Sequence, residues 1–162
     1  MIKKVLFLVV AIGQIGIISA QSLSESTKPS PAQLAWHQLE YYWFAHFGPN
    51  TFSGEEWGTG SESASLFNPK NLDTRQWCRL AKQAGAKGII ITAKHHDGFC
   101  LWPSRFSTHT VRESQWKNGK GDVLKELSAT CKEYGLKFGV YISPWDRNHP
   151  DYGTAAYNQV FV

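Results

Sequence analysis

Three histidines stand where apolar runs give way to long polar stretches. His46 precedes Phe47-Gly48, and His95 and His96 lie between Lys94 and Asp97-Gly98. Glu55-Glu56-Trp57-Gly58 follows a few residues after His46. Tyr141 lies in a third apolar run, which leads into Ser143-Pro144-Trp145-Asp146-Arg147-Asn148. A neutral imidazole both donates and accepts hydrogen bonds, which suits the hydroxyls of a polyol. Seven tryptophans are too many for a core this size, so some are expected to line a site. A flat aromatic face suits the C–H face of a sugar ring as well as it suits packing. Metal binding is the competing chemistry. Adjacent strand residues point to opposite faces, so His95 and His96 could share an ion only beyond the strand end. The His-x-His spacing of metal barrels and the Cys-x-x-Cys spacing of zinc sites are both missing. A metal-dependent barrel hydrolase stays open as an alternative.

Repeated units position these residues. Tyr42 to Phe47 reads as a first strand buried on both faces. A helix is predicted from Asp73 to Ala84, with Asp73 as N-cap, Gln76 at N3 and Leu72 stapling to Trp77. Its apolar stripe is Trp77, Leu80, Ala81 and Ala84, and Gly85 ends it. Gly88 to Ala93 is a β-branched run of the kind that forms buried parallel strands. A second helix follows from Val123 to Tyr134, capped by Asp122 and stopped by Gly135, with Leu124, Leu127, Cys131 and Tyr134 facing inward. Phe138 to Ser143 is the third strand. The joints Lys82-Gln83-Ala84-Gly85-Ala86-Lys87 and Lys132-Glu133-Tyr134-Gly135-Leu136-Lys137 align with each other, which marks a repeated β/α unit. Both helix-to-strand joints are short and both strand-to-helix connections are long. Extra chain is therefore confined to the carboxyl ends of the strands, where barrels and doubly wound sheets both carry their sites.

The first twenty residues read as a targeting segment. Lys3 and Lys4 precede the apolar run Val5 to Ile18, and Ser19-Ala20 offers small residues for cleavage before Gln21. The run is short for a bilayer span, which needs about 20 residues. The expectation is an exported protein, periplasmic or extracellular, with no membrane attachment after cleavage. Residues 21–35 read as a linker, Ser/Pro-rich from Gln21 to Pro31. The formal charge of +4 falls by two once Lys3 and Lys4 are removed. With no basic run, nucleic acid is not an expected partner. Cys78, Cys100 and Cys131 form no readable disulfide framework, and Cys78 and Cys131 are expected to pack as small apolar groups within helices. Gly119-Lys120-Gly121-Asp122 resembles a phosphate loop only faintly, because Asp122 at a helix start repels an anion. No nucleotide or other cofactor is expected.

The residues around the histidines carry a family resemblance. The matching text is Trp43-Phe44-Ala45-His46-Phe47-Gly48-Pro49-Asn50-Thr51-Phe52, Glu56-Trp57-Gly58 and Phe67-Asn68-Pro69. It continues through Ala93-Lys94-His95-His96-Asp97-Gly98-Phe99-Cys100-Leu101-Trp102-Pro103 and Gly119-Lys120-Gly121-Asp122. It closes with Gly139-Val140-Tyr141-Ile142-Ser143-Pro144-Trp145-Asp146-Arg147-Asn148. In this order the set closely resembles the α-L-fucosidases of glycoside hydrolase family 29, from about Trp36 onward. The resemblance implies an α/β fold of the (β/α)8-like TIM barrel type. Residues 36–162 would supply its first three strands and two helices, since eight units need roughly 250 residues. It implies retaining hydrolysis of terminal α-L-fucose from a fucosylated oligosaccharide or glycan, with a pocket formed by His46, Glu56, Trp57, His95, His96 and Tyr141. On that carry-over the histidines and Glu56 bond sugar hydroxyls, Trp57 flanks the ring and Tyr141 lies near the reacting centre. The Phe-Gly after His46 and the Glu-Trp-Gly loop resemble the branch that prefers α-1,3/1,4-linked fucose. Retention needs two carboxyl groups about 5–5.5 Å apart, and the resemblance puts both beyond Val162. Glu55 then reads as a solvated loop residue, and Asp97 and Asp146 as braces for loops or neighbouring polar groups. A non-catalytic fucose-binding protein or inactive remnant is the alternative.

Overall fold

The computed structural model describes residues 28–161. The expected targeting segment, 1–20, and the first part of the expected linker lie outside the described residues. The last part of that linker is not extended chain. Helix α1 spans Pro31–His37, held by a capping box in which the Ser30 side chain and the Gln33 side chain each bond the other's backbone N–H. Proline in the first turn adds to the start signal, because its missing N–H is not needed there.

Three parallel strands follow, β1 Trp43–Ala45, β2 Gly88–Lys94 and β3 Lys137–Ile142, in the spatial order β1-β2-β3. Trp43 pairs with Ile89, which pairs with Phe138, and Ile91 pairs with Val140. β1 is shorter than expected and is not buried on both faces. Phe44, on the face away from the two long helices, is 47% exposed. The opposite face carries Trp43, Ile89 and Phe138 into the core.

Short helix α2, Asn50–Ser53, was not anticipated and lies in the loop after β1. Helix α3 spans Thr74–Gln83, with the Asp73 carboxylate accepting from the N–H groups of Arg75 and Gln76. Its buried stripe is Thr74, Cys78 and Ala81, rotated from the expected one, so that Leu80 and Ala84 face solvent and Trp77 is half-buried. The cause is helix α4, Val123–Tyr134, against which α3 packs. Thr74 and Thr130 share a hydroxyl hydrogen bond of 2.8 Å, and the Cys78 and Cys131 thiols meet at 3.7 Å, both fully buried and unbonded covalently. α4 has the bounds the sequence predicts, from its Asp122 cap to Gly135. There the backbone turns left-handed at φ 67° and returns N–H bonds to Cys131 and Lys132. Its buried residues are Val123, Leu127, Thr130 and Cys131, while Leu124 and Tyr134 are half-buried. Helix α5, Ala155–Phe161, follows the loop after β3.

Both long helices lie on one face of the sheet, and Leu127, Ile89, Ile91, Phe67 and Val123 join them in one apolar core. Leu127 is fully buried. Leu127→Ala is expected to lower the urea midpoint of the full-length protein, at a cost of about 2–5 kcal/mol for a truncation in a core that relaxes little. An unchanged midpoint would contradict this placement of the core.

Candidate functional site

The carboxyl ends of the three strands converge on one cleft. His46 follows β1 directly, and His95 and His96 follow β2. The His46 and His95 rings meet edge to face at 5.3 Å, and His95 lies 4.2 Å from His96, centroid to centroid. Parallel pairing of β1 with β2 produces this meeting, because it brings equivalent strand ends level with each other. Thr92 reinforces it: its hydroxyl accepts from the Phe47 N–H at 3.2 Å and lies 3.3 Å from the Phe47 carbonyl. The backbone just after His46 is thereby fixed to β2.

A cleft of about 350 Å³ opens beside the rings. Its walls include His46, Glu56, His95, Thr92, Asn50 and Asp97, and its size falls in the usual range for small-molecule sites. His96, Trp57 and Tyr141 stand next to it rather than in its wall. Trp57, half exposed, meets His96 edge-on at 5.6 Å and Trp145 at 6.0 Å. Tyr141 projects from β3 toward His95 and Phe44, at 6.2 and 5.8 Å. All six residues singled out in the sequence therefore gather at one end of the sheet. Three neighbours were not singled out for the site: Asn50, Thr92 and Trp145. Thr92 was hidden in a β-branched run that reads as core, although it points to the side of the sheet that Phe44 and Tyr141 share. Asn50 Oδ1 is a buried acceptor with no hydrogen-bond partner among the described residues.

The Trp57 loop is tied to the loop after β3. Arg147 donates to the Gly58 carbonyl at 2.8 Å, and the Asn148 amide donates to the Gly60 carbonyl at 2.7 Å. Gly58 is required there, because a Cβ would come within 2.8 Å of both Asn50 Oδ1 and Asp97 Cβ. The loop after β3 is itself anchored by Asp146. Its carboxylate accepts from Lys94 at 2.7 Å, from Tyr157 at 3.0 Å and from the N–H groups of Asn148 and His149. Asp146 is thus a brace, as the sequence suggests, and so is Asp97, which accepts the Phe99 N–H at 2.8 Å. Glu55 and Glu56 are exposed at the cleft margin. Trp116 packs in the core against Phe67.

Electrostatics favour the neutral form of His95 and His96. Burial, then the neighbouring His96 and His46, lowers His95 to about 4. Burial, then Arg147 and His46, lowers His96 as well. Crowded rings cannot all carry protons, because like charges at this separation repel. Near neutral pH the cleft therefore offers the uncharged His95 ring beside the carboxyl groups of Glu55 and Glu56, with His96 and Trp57 next to it. Such a set recognises hydroxyls rather than anions. Among the described residues, no group of three or more His, Cys, Asp and Glu side chains is arranged to hold a metal ion, and no helix is long and apolar enough to cross a membrane.

The fold and site define an α/β protein with a parallel sheet and an imidazole and tryptophan cleft at the carboxyl ends of its strands. The chain belongs to the α-L-fucosidase family, whose model matches residues 18–161. Alpha-L-fucosidase 1 of Arabidopsis thaliana is 50% identical over 135 residues, covering 83% of this chain and 27% of that protein. The solved structure of a glycoside hydrolase 29 family member from an unknown rumen bacterium is 58% identical with a TM-score of 0.81, covering 82% of this chain and 24% of that one. A Ruminococcus gnavus GH29 fucosidase, solved in complex with fucose, is 40% identical with a TM-score of 0.72, over 77% of this chain and 26% of its own. The chain thus spans about a quarter of the length of these relatives.

Asp97 supplies a pH test of the cleft wall. Burial pushes its carboxyl up to about 6, against the bond from Phe99 and with the Glu62 and Asp146 charges adding to the rise. A folded-state value above the ordinary one means that the protonated form adds stability at low pH, and that this contribution is lost as pH rises through 6. Asp97→Asn keeps an acceptor for Phe99 and cannot ionise. It is expected to gain about 1–3 kcal/mol over the wild type at pH 7.5 and almost nothing at pH 4, by urea denaturation at both values. An equal effect at the two values would contradict the assignment.

Proposed function

We propose that this chain forms the fucose-recognising part of a (β/α)8-like catalytic barrel, in an exported α-L-fucosidase that releases terminal fucose from glycans with retention of configuration. The observation that carries the reading is the meeting of His46, His95 and His96 at one cleft at the strand ends. The Ruminococcus gnavus relative solved with fucose supports the choice of sugar. The three parallel strands with helices on one face support the barrel, since these are the first turns of its repeating unit. Residues 1–20 would direct export and be removed, leaving a linker and α1 ahead of the barrel segment that begins near Trp36.

In this reading His46, His95, His96 and Glu56 bond the hydroxyls, Trp57 lies along the ring and Tyr141 stands near the reacting carbon. Neutrality of His95 and His96 has a chemical purpose. Glycoside cleavage passes through an oxocarbenium-like transition state, and a cationic ring beside that developing positive charge would oppose it. The cluster instead grips hydroxyls without adding charge. The nucleophile and acid/base are assigned to carboxyl groups other than Glu55, Glu56, Asp97 and Asp146. The last two are already committed to Phe99 and to Lys94. The Phe47-Gly48 and Glu56-Trp57-Gly58 sequences favour α-1,3/1,4-linked fucose on branched glycans as the substrate.

Assay of the full-length protein on an aryl α-L-fucoside and on branched fucosylated oligosaccharides tests the reading. Release of fucose is expected, and its absence from both substrates would overturn the proposal. Fucose binding without release would favour a non-catalytic sugar-binding protein. His46→Ala is expected to reduce kcat/KM by an amount equivalent to about 2–4 kcal/mol, as for loss of a contact that strengthens in the transition state. An unchanged kcat/KM would remove His46 from the pocket.

A further inference from the structure

Ser143, the residue after β3, is fully buried, and both its N–H and its hydroxyl have partners. Its N–H donates to the Lys94 carbonyl at 2.9 Å, which holds its backbone against the end of β2. Its hydroxyl oxygen lies 2.8 Å from the Trp145 carbonyl and 2.7 Å from His96 Nδ1. A serine hydroxyl has one proton to give. The Trp145 carbonyl can only accept, so that proton goes to it. The Ser143 oxygen is then left as an acceptor toward His96, and the partner atom, Nδ1, must carry a hydrogen.

We propose that Ser143 is a positioning residue that fixes His96, beside the cleft, in the Nδ1–H tautomer and leaves its Nε2 as a hydrogen-bond acceptor. An unconstrained imidazole prefers the other tautomer, with its proton on Nε2, so the arrangement has to be imposed by the fold. Ring rotation offers no escape. Turning the imidazole over would put a carbon where Nδ1 meets Ser143, and the ring is hemmed in by His95 at 4.2 Å, Trp145 at 4.8 Å and Trp57 at 5.6 Å. The lowered basicity of His96 keeps the ring neutral, so Nε2 retains its lone pair.

The consequence for a ligand rests on the proposed fucose pocket; the tautomer itself does not. A sugar group facing Nε2 has to donate. A free hydroxyl meets that demand, whereas a methyl ether or a fluorine at the same position offers no proton and leaves a partly buried nitrogen unpaired. Ser143 would in this way select for an unmodified hydroxyl without touching the sugar.

The test is a long-range ¹H–¹⁵N correlation spectrum of ¹⁵N-histidine-labelled full-length protein, without sugar, at pH 7.5. The His96 signals are assigned by their loss in His96→Gln. The expected spectrum has a protonated Nδ1 and an unprotonated Nε2. Ser143→Ala is expected to move the proton to Nε2, and Ser143→Thr, which keeps the hydroxyl, to retain the wild-type pattern. Protonated Nε2 in the wild type, or an unaltered pattern in Ser143→Ala, overturns the proposal. If Ser143→Ala does not fold, the wild-type spectrum decides alone. On fucosides, Ser143→Ala is expected to raise KM roughly 2- to 10-fold, the worth of one neutral hydrogen bond. That penalty is expected to vanish for a substrate with fluorine at the contacted position. A protein that releases no fucose but shows the expected tautomer refutes the substrate assignment and leaves the Ser143 assignment standing.

Discussion

The ion pair between Lys94 and Asp146 is the joint on which the site depends. Both side chains are nearly excluded from solvent, at 9% and 6% exposure, and their charged atoms are 2.7 Å apart. Burial alone would raise the Asp146 carboxyl. The bond from Lys94, the His149 N–H and the Tyr157 hydroxyl outweigh it and hold Asp146 below the ordinary carboxylate range. Removing one member of such a pair leaves an uncompensated buried charge and commonly costs about 3–5 kcal/mol. The pair joins the last residue of β2 to the loop after β3. That loop carries Trp145, Arg147 and Asn148, and the last two grip the loop that carries Trp57. One buried contact thus relays order from the sheet to the rim of the cleft. Tyr157 brings α5 into the same cluster, bonded to Lys94 at 2.6 Å.

The Lys94–Asp146 pair that braces the loops lies beneath the surface and is surrounded by partners, while the cleft is walled by the His46 and His95 rings together with the carboxyl groups of Glu55, Glu56 and Asp97. The arrangement follows from the sheet. Residues alternate between its two faces, so apolar side chains fill the helix-covered face while Phe44, Thr92 and Tyr141 share the other. Polar chemistry concentrates where the strands stop, as in other parallel α/β proteins. Burial and the neighbouring groups then favour the neutral form of His95 and His96.

Much of this was legible in the sequence. The β-branched run at Ile89–Ile91 and the Asp122 and Gly135 caps define β2 and α4 because they are local signals. The six residues that the family motifs single out are gathered by the structure at one end of the sheet. What could not be read depends on contacts between distant segments. The buried face of α3 is decided by where α4 lies, so Leu80 turns outward although its neighbours suggest a continuous stripe. Composition led residues 21–35 to be read as linker and hid the Ser30–Gln33 capping box that starts α1. Thr92 reads as core until its hydroxyl is seen to hold Phe47. Ser143 has no sequence signal at all, since its importance lies in the direction of a single proton.

The central claim is that the strand-end imidazole cleft is a fucose pocket, and a crystal structure of the full-length protein with L-fucose tests it most directly. The account predicts the sugar in that cleft, with hydroxyls within hydrogen-bonding distance of His46, His95 and His96 and with Trp57 alongside the ring. Fucose bound elsewhere, or bound here with none of the three imidazoles in contact, would contradict it.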